Sequence, residues 1–108
     1  MEQFRDSLQE IYDRIPRRHS ADNIKEINSL VNDYEALLQR IEALNSWYEK
    51  NTAGLYPSLE GIRNTLKMSN SNKASKKAKD DLFDEASGTF KDDIQSLIAI
   101  YGDGSKAE

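Results

Sequence analysis

The chain has no cysteine, one histidine, two prolines and no long apolar run. Without cysteine there is no disulfide framework and no thiolate metal site. A single histidine, His19, excludes any multi-histidine metal centre. No stretch approaches the ~20 apolar residues that a membrane-crossing helix needs. The opening "MEQFRDSLQE" is charged from its second residue, unlike a secretory leader, so the expected location is cytoplasmic. A basic excess is also missing: the formal net charge is −4, whereas a dedicated nucleic-acid-binding domain is usually basic, so nucleic acid is not the expected partner.

Apolar side chains are scarce as well. Leu, Ile, Val and Phe supply 23 of the 108 residues, and charged residues make up 31%. A chain of this length forms one domain, and its core must be narrow. Amphipathic helices meet that condition, because each buries a single stripe.

The stripes are there. Phe4, Leu8, Ile11 and Ile15, with Tyr12 beside them, mark a helix over about residues 2–15, closed by Pro16. "PRRHS" is a short basic connection. Ser20, Asp22 and Asn23 are candidate N-caps for a second helix over about 22–50. Its stripe, Ile27, Leu30, Tyr34, Leu37, Ile41, Leu44 and Tyr48, alternates steps of three and four, a 3.5-residue period. Ile24, Val31 and Leu38 widen that stripe, while Glu26, Asp33 and Arg40 flank it. A two-stranded coiled coil carries charges on both flanks, so the pattern fits a bundle helix with neighbours on two sides.

In "NTAGLYPS", Gly54 is read as a C-terminal cap and Pro57 as part of the first turn of a third helix over about 57–69. "SNSNKASKK" is a polar linker. A fourth helix over about 75–101 carries Phe83, Ala86, Phe90, Ile94, Leu97 and Tyr101 at a mean spacing of 3.6, with Gly88 inside it. Gly102 reads as its stop. The expected architecture is all-α, an antiparallel bundle of three to four helices around the long helix 22–50 paired with the C-terminal helix 75–101. Residues 1–102 form the domain and 103–108 a flexible tail.

The chemical motifs are weak. "DDLFD", with Asp80, Asp81 and Asp84, resembles the Asp-Asp-x-x-Asp motif of isoprenoid synthases, whose carboxylates hold magnesium bound to a diphosphate. The resemblance covers five residues, and the preferred reading is an acidic first turn on the helix dipole. The paired Glu-x-x-Glu of MazG-like pyrophosphohydrolases is missing, and Trp47 and Gly54 are too far apart for the Trp-x-Gly turn of small secreted hairpins. His19 has no companion suited to a hydrolytic triad. No enzyme, cofactor or metal is expected.

What remains points to binding. Helices 1 and 3 are much shorter than helix 2, so part of its apolar seam is expected to stay uncovered. The leading expectation is a non-enzymatic protein-binding helical module (an assembly adaptor, small chaperone or complex subunit). Partner helices would dock along that seam, with Tyr34, Leu38, Trp47 and Tyr48 as anchors and a homodimer through the long helix as one arrangement. For Trp47 the simpler account is closure of one end of the core. The alternative is a small acidic regulator or inhibitor, of the kind phages and plasmids carry, that blocks an enzyme or a nucleic-acid-binding machine. It would present Asp80, Asp81, Asp84, Glu85, Asp92 and Asp93 to a basic site. Between Gly61 and Lys79 every charge but one type is missing: Arg63, Lys67, Lys73, Lys76, Lys77 and Lys79 stand with no acid among them, a solvated face or a docking strip for an acidic protein. "RRHS" makes Ser20 a candidate phosphorylation site, with plain helix capping as the competing role.

Overall fold

A computed structural model describes residues 2–107, with side chains placed over 4–102. Five helices follow one another: α1 (Glu2–Arg14), α2 (Ala21–Glu42), α3 (Ser46–Thr52), α4 (Leu55–Ser69) and α5 (Lys76–Ala107). No strand occurs among the described residues, and helix accounts for 83% of the chain. No helix among them is long and apolar enough to cross a membrane.

The cross-chain contacts fix the topology. Arg14 pairs with Glu26 at 2.8 Å and the Arg40 guanidinium lies over the Phe4 ring, so α1 runs antiparallel to α2. Arg63 reaches Glu35 and Asn32, and His19 meets Ser69, so α4 also opposes α2. Tyr34 packs edge-on to Phe90 at 5.4 Å and Tyr48 reaches Tyr101, so α5 runs parallel to α2. The result is an up-down-up-down bundle of α1, α2, α4 and α5, with α3 packed against α2 and α5 at one end. Its 49 Å length is about that of the 32-residue α5 at ~1.5 Å per residue.

The long helix expected over 22–50 is two helices. Leu44 N–H turns back to the Ile41 carbonyl, a tightened last turn. Asn45 is fully extended, at φ −170° and ψ 177°, and its Oδ1 accepts the Tyr48 N–H at 3.1 Å. An asparagine that can cap a new helix competes with the helix it interrupts. Leu44 sits in this turn, 43% exposed, although its spacing placed it in the seam. Gly54 is not a left-handed cap either: its φ of −68° is right-handed, and it directly precedes α4, which starts at Leu55 rather than Pro57. The stop expected at Gly102 is not made, because α5 continues to Ala107. The flexible tail expected over 103–108 lies outside the described side chains.

Most of the seam is covered, the exceptions being Leu37, half-buried, and Leu44, exposed in the turn. Ile24, Ile27, Leu30, Val31, Tyr34, Leu38 and Ile41 are all buried, packed with Leu8 and Ile11 of α1, Leu59, Ile62 and Leu66 of α4, and Phe83, Phe90, Ile94 and Leu97 of α5. The short α1 and α4 suffice because they lie on opposite sides of α2 while α5 spans the whole length.

Candidate functional surface

The polar interior lies on the α4 side. The Tyr34 hydroxyl is buried with no hydrogen-bond partner among the described residues. Burial, then the nearby Asp93 and Tyr56, pushes its pKa up. Asp93 is half-buried, and its carboxylate accepts a short hydrogen bond from Ser58 Oγ. Burial raises the Asp93 pKa, the Ser58 bond opposes the rise, and the Asp92 charge adds to it. Tyr56 is raised by burial and then by its bond to Glu42. These groups bridge α2, α4 and α5.

The connections are more informative. His19, in the α1–α2 connection, donates from Nε2 to the Ser69 carbonyl at the end of α4, at 3.1 Å. Its ring stands edge-on to Phe83 of α5, with centroids 6.0 Å apart. That pins "PRRHS" against the α4–α5 connection. Arg17, Arg18, His19, Lys76, Asp80 and Asp84 then line an open cleft of about 560 Å³. The two connections and the start of α5 therefore make one basic end, with Arg17 and Arg18 from the first connection, Lys73 from the second, and Lys76, Lys77 and Lys79 from the first turn of α5. None of these six cations forms an ion pair among the described residues. Ser75 starts α5 there by accepting the Ala78 N–H at 3.1 Å. In the sequence the two basic stretches lie more than fifty residues apart. Their union follows from topology, since the first and third connections of an up-down bundle fall at the same end.

The sequence-derived candidates fare unevenly. Tyr34, Leu38 and Tyr48 lie in the core, so none offers a docking contact on a free surface. Trp47 is half-buried and stands edge-on to Tyr48 at 5.3 Å, closing the α3 end of the core. The acidic residues do not form one patch. Asp80 and Asp84 face the cleft, and Asp93 bonds Ser58 between α4 and α5. Asp81, Glu85 and Asp92 are exposed, and their spacings of four and seven keep them on one outward face of α5. The "DDLFD" carboxylates do not converge, and no group of three or more metal-ligating side chains occurs among the described residues. Ser20 is the N-cap of α2, exposed, with its Oγ accepting the Asn23 N–H at 3.0 Å. No family model, curated protein or solved structure matches the chain.

Proposed function

We propose that this protein is a non-enzymatic, protein-binding helical module of the cytoplasm, and that it engages its partner through its charged exterior. Docking along the α2 seam is disfavoured, since most of its side chains, Ile24 to Ile41, are buried in the chain's own core. The observation that carries the reading is a charged cleft at one end of the bundle, lined by Arg17, Arg18 and Lys76 together with Asp80 and Asp84. Six unpaired cations gather at one end of the bundle in a chain whose net charge is −4. Complementary surface charge speeds encounter and selects partners without demanding an apolar patch. A cysteine-free chain also has no need of an oxidising compartment.

One observation favours the second reading, an acidic inhibitor: Asp81, Glu85 and Asp92 share the outer face of α5. That strip would meet a basic target site and leave the opposite charges at the basic end unused.

Site-specific photo-crosslinking in the native host separates the readings. A photoreactive residue at Arg17 or Lys77 is expected to trap a discrete protein adduct, whereas adducts confined to position 85 or 92 would favour the inhibitor. Adducts from no surface position would overturn both.

A further inference from the structure

The cleft at the basic end is open, and its lining is mixed. Arg17 and Arg18 are exposed on one side, and Lys76 stands at the start of α5. Asp80 and Asp84, one turn apart on α5, add negative charge to the same wall. His19 is not available to a ligand as a stacking surface, because its ring is packed on Phe83 and its Nε2 is bonded to Ser69.

From this we infer that the cleft receives an acidic polypeptide segment that carries at least one basic residue. The inference rests on the protein-binding reading and names the partner's chemistry. Guanidinium groups pair with carboxylates in a planar two-bond geometry, so Arg17 and Arg18 suit Asp or Glu side chains. Asp80 and Asp84 select a cation within the same segment. A phosphate polymer presents only negative charge and would be repelled by that wall. Among the described residues it would also find no exposed aromatic ring at this end on which to stack a base. Met68, 52% exposed in the last turn of α4, adds one adaptable apolar contact at the same end.

The test uses the full-length protein and three probes. These are a fluorescein-labelled 12-residue peptide of glutamates with one central arginine, the all-glutamate peptide of equal length, and a 12-nucleotide oligothymidine. The arginine-containing peptide is expected to bind with an affinity that falls steeply with salt. Arg17→Glu/Arg18→Glu should weaken it by about tenfold or more, by analogy with other lost charge pairs. Lys50→Glu, at an exposed position of α3 at the far end, should leave it unchanged. Asp80→Asn/Asp84→Asn should erase the preference for the arginine-containing peptide over the all-glutamate one. All three sets of changes fall on exposed or half-buried side chains, and circular dichroism confirms that each variant is folded. Oligothymidine binding as tightly as the peptide would overturn the inference, as would equal loss in Lys50→Glu. So would failure of both peptides to bind; adducts trapped in cells at other surface positions would then leave the protein-binding reading standing alone.

Discussion

His19 and Ser69 are fifty residues apart in the chain and 3.1 Å apart in space, Nε2 to carbonyl oxygen. The contact satisfies a carbonyl at the C-terminal end of α4, where helical partners run out. It also fixes the loop that carries Arg17 and Arg18 beside the start of α5. His19→Ala removes that hydrogen bond, worth about 1 kcal/mol, and the edge-on ring contact with Phe83. A fall in melting temperature is expected, together with faster amide exchange over 15–20. Unchanged exchange there would mean that the loop is held by something other than His19.

Tyr34 carries the one buried side-chain hydroxyl without a partner among the described residues. An unmet buried donor costs about 1–3 kcal/mol, while the ring itself packs on Phe90. Tyr34→Phe keeps the ring and deletes the unmet group, so it should stabilise the fold by about 1 kcal/mol. Thermal denaturation reads this directly. A destabilised Tyr34→Phe would show that the hydroxyl has a partner, such as a bound water.

Asp93 sets a pH dependence. Burial raises its pKa in the folded state above the unfolded value, so between those two values the folded state holds more protons than the unfolded one. Stability from this group is therefore greatest below the unfolded carboxylate pKa and is lost as pH rises through the folded one. Asp93→Asn keeps an acceptor for Ser58 and removes the charge. It should be more stable than the parent at neutral pH, with the difference closing as the pH falls into the acid range. Urea titrations across pH check it; a gain that persists unchanged in acid would assign the effect to packing.

Gly88 lies in the middle of α5 on its exposed side, and a Cβ built there meets nothing within 4 Å. Alanine is better than glycine by about 1 kcal/mol inside a helix. Gly88→Ala is therefore expected to raise the denaturation midpoint without altering peptide binding at the basic end.

Much of the fold was legible in the sequence, and the α5 stripe most of all. Phe83, Ala86, Phe90, Ile94, Leu97 and Tyr101 are all buried at the spacing that announced them. The α2 stripe misled in an instructive way. Tyr48 is buried as its position required, yet the helix had already ended and restarted at Asn45. Periodicity counts residues and does not register a turn that a new short helix compensates. Helix lengths alone suggest a longer uncovered seam than there is, because α1 and α4 cover different sides of α2 and leave only Leu37 and Leu44 in part uncovered. The basic end was hidden for another reason: "RRH" and "KASKK" are each unremarkable strings, and only the alternation of helix directions joins them.

Most of the chain's large apolar side chains are enclosed within one molecule, leaving charge as the main means of contact. Sedimentation equilibrium at tens of micromolar and moderate salt tests this most directly. The expected result is a single species at the monomer mass of 12.3 kDa. A salt-insensitive dimer that Leu44→Glu or Met68→Glu dissolves would contradict it, because the exposed apolar side chains would then hold two copies of the chain together.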